Sequence, residues 1–233
     1  MLKSPEILNN VTNSRNAYEN TGPMLEEEFI GKTNEQKYKE KAFLLLHPEE
    51  SPEKLSGPAK AEKVFQIRDL AQKEFENALA LADKNKYINF KNSMRLAEEC
   101  QTGNPEKPDR FFSLALYNYI KSRFDEGQLL KFFTAVGTHL DIKHGVDCFF
   151  KLYSQKTGEE LTFATIDLTG RSTKDTTKAN VLLNINGEEK DKYDPSQGNK
   201  NFDKTFFTKK ISEFGEMIIA AMLKNYKEKL EKN

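Results

Sequence analysis

The sequence predicts an α+β protein, in which a helical N-terminal region precedes an α-β-β-β-α core with a small, mainly antiparallel sheet. Three observations predict this class. Apolar residues between positions 58 and 137 recur at three- and four-residue steps, which is the period of an amphipathic helix. Short segments between positions 146 and 185 are rich in β-branched and aromatic residues, as strands are. The helical period then returns after position 204.

Residues 1–57 differ from the rest of the chain in composition. Apolar residues are sparse there, Asn, Glu and Lys dominate, and four prolines interrupt the pattern. We therefore expect a polar, partly disordered extension that the body does not need for folding and that could bind a protein partner. The apolar patch at 42–46 is expected to dock on the body. Residues 58–233 are expected to form a single α+β domain, with a helical part at 58–137 and the core at 125–233.

The individual elements follow from these periods and from the capping residues. Asp125 can cap a helix, Gln128 stands three positions later as in a capping box, and Gly137 suits the end of that helix. Helices are expected at residues 58–83, 87–100, 109–123 and 125–137 and from residue 204 onward, and strands at residues 146–154, 161–169 and 180–185.

Charge and hydropathy narrow the class of protein. The chain has 36 basic and 36 acidic residues, and this zero net charge is an argument against a protein that coats DNA. No apolar run approaches the ~18 residues of a membrane-spanning helix, and the N-terminus has no apolar signal segment. Cys100 and Cys148 lack metal-binding spacing and are expected to be free thiols. These features predict a soluble, cytoplasmic protein.

Two aspartates, Asp147 and Asp167, occupy the two predicted strands on either side of a turn segment. The turn contains KTG at residues 156–158, and three-residue hairpin loops favour glycine in the left-handed position at their end. Such a loop pairs Gln155 with Glu159, and the same register places Asp147 directly opposite Asp167 on one face of the sheet. A loop of two or four residues would break this direct pairing.

A facing pair of aspartates has consequences for chemistry. Like charges directly opposite each other destabilise a sheet, so adjacent carboxylates either share a proton or bind a cation. The segment HLDIKH ends three residues before Asp147 and supplies two histidines. Their spacing matches no zinc pattern, and we expect His144 to orient a neighbouring group of the site.

A helix, a hairpin with an Asp on each strand, a third strand and a final helix resemble the PD-(D/E)XK nuclease superfamily over about residues 125–225. The resemblance implies that Asp147 is the first acid and Asp167 the second, and that they hold Mg²⁺ or Mn²⁺. It also implies that Glu126, on the preceding helix, joins the site.

The lysine of the superfamily pattern is missing. It is expected two residues after the second acid, where this sequence has Thr169, which would then orient rather than activate water. The resemblance therefore implies that Lys174 or Lys178 moves into the site as its catalytic lysine, or that the chemistry is lost.

The resemblance implies a nuclease that hydrolyses DNA or RNA. A divalent ion between carboxylates can polarise a phosphodiester and activate water. Arg171, Lys204 and Lys209 are candidates for phosphate contacts. A second function stays open, a non-catalytic interaction or assembly protein that retains a nuclease-like core, which Thr169 and the zero net charge favour.

Overall fold

The structure, a computed structural model, describes residues 21–83, 87–170, 177–195 and 199–231. Within these ranges it contains seven α-helices and four strands. The helices are α1 (Thr21–Ile30), α2 (Glu35–Leu46), α3 (Gly57–Leu79), α4 (Phe90–Glu99), α5 (Phe111–Lys121), α6 (His139–His144) and α7 (Lys204–Glu231). The strands are β1 (Gln128–Thr134), β2 (Cys148–Ser154), β3 (Glu160–Thr169) and β4 (Val181–Asn184). The predicted α+β class is confirmed.

The four strands form one sheet in the order β1-β2-β3-β4. The first three strands are antiparallel, but β4 runs parallel to β3, so the sheet is mixed and the expectation of a mainly antiparallel sheet is corrected. The physical reason is the length of the β3–β4 connection. Residues 170–180 separate the two strands, which is longer than the two to five residues typical of a hairpin and leaves room for a crossover.

The helix predicted at residues 125–137 is wrong, because this segment contains a turn and strand β1. The capping-box contact exists: the Asp125 N–H donates to Gln128 Oε1 at 3.1 Å. It closes a turn, in which the Gln128 N–H also bonds the Asp125 carbonyl. Leu130, Phe132 and Phe133 are buried. A short apolar run of this kind is compatible with a buried strand and with a helix, so the spacing of its apolar residues did not distinguish the two.

Side chains alternate between the two faces of the sheet. On one face, Phe150 and Ile166 belong to a large apolar cluster with residues of α1, α5 and α7. On the other face, Phe149 packs with Met94 of α4 and Leu140 of α6. We call these the α7 face and the α6 face of the sheet. The candidate site lies on the α6 face.

The N-terminal helices belong to the folded body. Leu25 and Phe29 of α1 are buried in the same cluster as the α7 face of the sheet. Tyr38 and Ala42 of α2 are fully buried against Phe75 of α3. The expected loose arm is therefore wrong for the helices at residues 21–46, and the expected docking of the 42–46 patch is seen. No side chain in residues 47–57 is buried. Residues 1–20 lie outside the described residues.

The outer edge of β1 is covered by other parts of the chain. The Phe132 N–H donates to the Pro105 carbonyl at 2.8 Å. The side-chain amide of Gln101 both accepts from the Thr134 N–H and donates to the Thr134 carbonyl, at 3.0 and 2.8 Å. The Thr33 hydroxyl donates to the same carbonyl at 2.9 Å. These groups take the place of a further strand.

None of the helices in the described ranges has both the length and the apolar character needed to cross a membrane.

Candidate functional site: a buried acidic cluster at the end of the sheet

Asp147 lies between the end of α6 and the start of β2, and the backbone on both sides is fixed. Gly145 ends α6 with a left-handed φ of 66°, a conformation that glycine adopts without strain. The Asp147 N–H donates to the Ile166 carbonyl at 2.9 Å, and the Asp147 carbonyl accepts from the Ala135 N–H at 2.7 Å. Asp147 is thus held between the end of β1 and the end of β3.

The predicted register between β2 and β3 is correct along most of the hairpin. It pairs Cys148 with Ile166 and continues in step to Leu152 and Thr162. A bulge between Leu152 and Tyr153 shifts the pairs nearer the turn by one residue. The turn therefore differs from the predicted three-residue loop, and the bulge restores the predicted register from Leu152 to Cys148.

The carboxylate of Asp147 reaches across to β3. Its Oδ2 accepts from the Leu168 N–H at 2.6 Å. Asp147 thus bonds the residue before Asp167 through its backbone and the residue after Asp167 through its side chain. The strand pairing itself ends at Cys148 and Ile166, so the direct opposition of Asp147 and Asp167 remains a prediction.

Two further carboxylates adjoin Asp147. Glu26 of α1, Asp141 of α6 and Asp147 each offer an oxygen atom, and these atoms all lie within 4.8 Å of one another. Asp141 is oriented by the Gly137 N–H, which donates to Asp141 Oδ2 at 2.9 Å. We call Glu26, Asp141 and Asp147 the acidic cluster. Its three residues come from α1, from α6 and from the segment that leads into β2.

The acidic cluster perturbs the ionisation of Asp147, which is only 4% exposed. Burial, and after it the neighbouring charges of Glu26 and Asp141, raise the pKa of Asp147 from its ordinary 3.8 to about 9. The Leu168 N–H opposes this rise by bonding the charged form, and Asp167 adds a smaller increase. A cation bound beside Asp147 would favour its ionised form.

No protein-family model, curated protein or solved structure matches this chain. The function has to be inferred from the chemistry of the site itself.

Asp167 and Thr169 are buried and share one face, because they alternate with Ile166 and Leu168 of the α7 face. Thr177 donates its hydroxyl proton to Asp167 Oδ2 at 2.7 Å. Lys178, the next residue, is exposed. The position expected to hold lysine is therefore filled by a buried threonine, while Lys178 follows a residue that contacts the second acid.

Several predicted site residues lie elsewhere. Glu126 is exposed in the turn before β1, and β1 begins opposite Ser154, about 20 Å of strand away from Asp147. Glu126 was expected at the site because residues 125–137 were predicted to form a helix, and these residues contain a turn and β1 instead. Lys204 and Lys209 are exposed on α7, which covers the opposite face of the sheet. Arg171 and Lys174 lie outside the described residues.

His144 has a packing role in the structure. Its ring Nε2 lies 3.2 Å from the Ile88 carbonyl, and the ring meets Phe90 edge-to-face at 5.6 Å. Lys151 projects from β2 on the α6 face, as Asp147 does, but its Nζ lies 2.5 Å from Glu98 and 2.6 Å from Glu160. Lys151 is therefore held in an ion pair with these two carboxylates rather than aimed at Asp147.

Glu26 and Asp141 are the site residues that the sequence did not reveal. Asp141 stands in HLDIKH, and the five residues between it and Asp147 contain Gly145, a signal for a sharp reversal of the chain that could have indicated proximity. Glu26 is one of three consecutive glutamates in a polar stretch, and the sequence does not distinguish it from its neighbours.

The acidic cluster fits a hard divalent cation. Carboxylate oxygens are the ligands that Mg²⁺ and Mn²⁺ prefer. The bond to Leu168 uses one of about four lone-pair positions on the Asp147 carboxylate, so coordination is still possible. Glu26 and Asp141 are each half-buried, which leaves the cluster accessible from solvent.

Proposed function

We propose that the protein is a divalent-cation-dependent phosphodiesterase that cuts nucleic acid, with Mg²⁺ or Mn²⁺ bound by Glu26, Asp141 and Asp147. One observation carries the proposal: a buried carboxylate, Asp147, adjoins two other carboxylates, and its pKa is raised by burial and by their charge. Such a group is costly to a fold unless its charge is compensated, and sites of this kind are concentrated at functional positions.

The chemistry divides between the ion and the chain. When bound, the ion would polarise a phosphodiester and lower the pKa of a bound water. The Leu168 N–H holds the Asp147 carboxylate, and the Gly137 N–H holds that of Asp141. Asp167, oriented by the Thr177 hydroxyl, accepts a proton from the attacking water in this proposal, because Thr169 cannot do so.

The resemblance to the PD-(D/E)XK superfamily is kept as part of the proposal with one change. Glu26 of α1, rather than Glu126, supplies the carboxylate from a preceding helix. Lys178 is the candidate for contact with the phosphate, since it is exposed and follows Thr177.

Metal binding is tested by thermal unfolding in a titration with Mn²⁺ or Mg²⁺. An ion that binds only the folded protein raises the melting temperature with concentration. The wild type is expected to show this rise, and Glu26→Gln, Asp141→Asn and Asp147→Asn are expected to lose it. Glu126→Gln is the matched control, because it removes an exposed acid at the other end of the sheet. Equal shifts in all five proteins would remove the proposed centre.

Activity is tested on single- and double-stranded DNA and RNA with each ion. Asp167→Asn is expected to reduce cutting by at least about 100-fold, since general bases contribute about 10²–10⁴-fold. The same variant is expected to keep most of its metal-dependent thermal shift, because Asp167 is outside the acidic cluster. This combination separates a proton acceptor from a metal ligand.

A non-catalytic assembly protein is the second candidate, and the burial of Thr169 at the lysine position favours it. In that case Asp167 is a structural acceptor for Thr177, and Asp167→Ala lowers the free energy of unfolding by about 1–3 kcal/mol. A wild-type protein that cuts none of the substrates, together with this destabilisation, would favour the assembly function over the nuclease.

A further inference from the structure

Helix α7 has an exposed side along much of its length. The helix has 28 residues, and its other side is buried against the sheet and α5 through residues such as Phe207, Phe214 and Ile218. The exposed side carries residues at regular helical spacing. This α7 stripe consists of Lys209, Glu213, Glu216, Met217, Ala220, Leu223, Lys224, Lys227 and Glu231. It extends over about 33 Å of helix.

The middle of the α7 stripe is apolar. Met217 and Leu223 are 46% and 49% exposed, on either side of the small residue Ala220. An open groove of about 490 Å³ continues this patch toward the edge strand β4, where Leu182 forms part of its wall with Met217 and Lys224. A large apolar side chain arriving at the centre of the stripe would therefore find both a contact surface and a cavity.

The charges of the α7 stripe complement one another about Ala220. Positions at equal distances before and after Ala220 carry opposite charges, and the two apolar positions also match. The pairs are Met217 with Leu223 at three residues, Glu216 with Lys224 at four, Glu213 with Lys227 at seven, and Lys209 with Glu231 at eleven. These distances all return to the same face of a helix.

The charges of the α7 stripe also have contacts within one chain, all at exposed or half-exposed positions. Lys210 lies 2.9 Å from Glu213, and the Tyr119 hydroxyl donates to Glu216 at 2.6 Å. Lys209 and Lys224 lie 3.9 Å from Glu213 and Glu228, each in an exposed pair on the same helix. Glu216 lies 3.2 Å from exposed Arg123. Exposed pairs of this kind contribute little to stability, so the charges are available to a partner.

We propose that the α7 stripe is the interface of a homodimer, in which two copies of α7 pack antiparallel about a two-fold axis at Ala220. In a two-fold pair, a residue before Ala220 in one copy meets the residue at the same distance after Ala220 in the other. Each charge then meets its opposite, and Leu223 of the second copy lies against Met217 beside the groove. Parallel packing would place every charge against the same charge, so the pattern selects the antiparallel dimer.

The test uses a charge swap between two variants and measures mass by light scattering after size exclusion. In Lys224→Glu with Lys227→Glu, positions 213, 216, 224 and 227 are all acidic, so the opposed pairs that they form in the dimer repel each other. In Glu213→Lys with Glu216→Lys, the same four positions are all lysine and repel each other likewise. Each variant is expected to weaken the dimer by roughly 100-fold or more. Mixing the two variants is expected to restore a dimer, because every opposed pair again has opposite signs.

The wild type is expected near twice the chain mass of 26.8 kDa, and each variant alone near that mass. Lys60→Glu with Lys73→Glu on the exposed side of α3 is the matched control for net charge, and it should remain dimeric. Since Glu216 bonds Tyr119 and Arg123 within the chain, Glu213→Lys mixed with Lys227→Glu provides the swap if the double variant misfolds. A monomeric wild type, variants that stay dimeric, or a mixture that stays monomeric would each overturn the proposal.

Discussion

Asp147 shows how one buried carboxylate can link stability to pH. Its pKa in the folded protein is raised to about 9, chiefly by burial and then by Glu26 and Asp141. Between pH 4 and that value the folded protein keeps a proton that the unfolded chain releases. The free energy of unfolding of the metal-free protein therefore falls as pH rises through this window. The contribution of Asp147 to this free energy is greatest at acidic pH. A bound cation favours the ionised form and opposes the fall.

Replacing Asp147 with asparagine is expected to stabilise the metal-free protein at pH 8 by about 1–3 kcal/mol and to flatten the pH dependence of unfolding. The asparagine oxygen can still accept from the Leu168 N–H, and the charge is gone. Urea unfolding at several pH values measures both effects. Asp147→Ala is the comparison, since it leaves that buried N–H without its acceptor and should be less stable than Asp147→Asn by about 1–3 kcal/mol. If the wild type is as stable at pH 8 as at pH 5, the proposed ionisation of Asp147 is wrong.

Among elements, β1 and the β2–β3 hairpin show what local sequence could predict. The turn at Asp125 and the left-handed Gly158, with φ of 69°, both follow from local sequence. The identity of β1 does not, because its apolar run is buried on both faces and lacks the alternation that marks a half-exposed strand. The bulge after Leu152 depends on cross-strand packing. The register from Cys148 to Leu152 was therefore predicted correctly from a turn that differs in detail.

Helix α7 packs on α5 at a position where only glycine fits. A Cβ at Gly215 would overlap the ring of Tyr119. Gly215→Ala is therefore expected to lower the free energy of unfolding by about 1–3 kcal/mol, although alanine favours helices by about 1 kcal/mol over glycine. Chemical denaturation measures the change. In a Tyr119→Ala background the same substitution should be neutral or stabilising, and destabilisation there would show that the ring is not the cause.

On the scale of the whole molecule, α1 shares the core of the sheet, and α2 packs in neighbouring apolar clusters with α3 and α4. Average composition did not reveal this, because the apolar residues of α1 and α2 are diluted by the polar segments around them. Leu25 and Phe29 stand four residues apart, as do Tyr38 and Ala42, which places each pair on one side of its helix. Glu26 lies on α1 and reaches the acidic cluster because Leu25 and Phe29 anchor this helix in the core. The sequence therefore predicted Asp147 and Asp167, which lie beside or on the strands. It did not predict Glu26 and Asp141, which α1 and α6 supply.

Phe29→Ala is expected to lower the free energy of unfolding by about 3–5 kcal/mol. The ring is buried and meets Phe112 and Tyr193 edge-to-face at 5.2 and 5.7 Å, so truncation leaves a cavity between α1, α5 and the segment before α7. Denaturant unfolding measures the loss. Leu46→Ala, at a 40% exposed position on α2, is the matched control and should change stability by less than about 1 kcal/mol. A Phe29→Ala protein as stable as this control would restore the interpretation of residues 21–46 as part of a dispensable arm.

The covered edge of β1 also decides how copies of the protein can misassemble in a crowded cell. Fibrils grow when a strand adds to an open sheet edge, and the side-chain amide of Gln101 and the Pro105 carbonyl already occupy that position beside β1. A further strand cannot pair with β1 while these groups are in place. Loss of the Gln101 amide would leave the Thr134 N–H open to another chain and should appear as faster aggregation during expression.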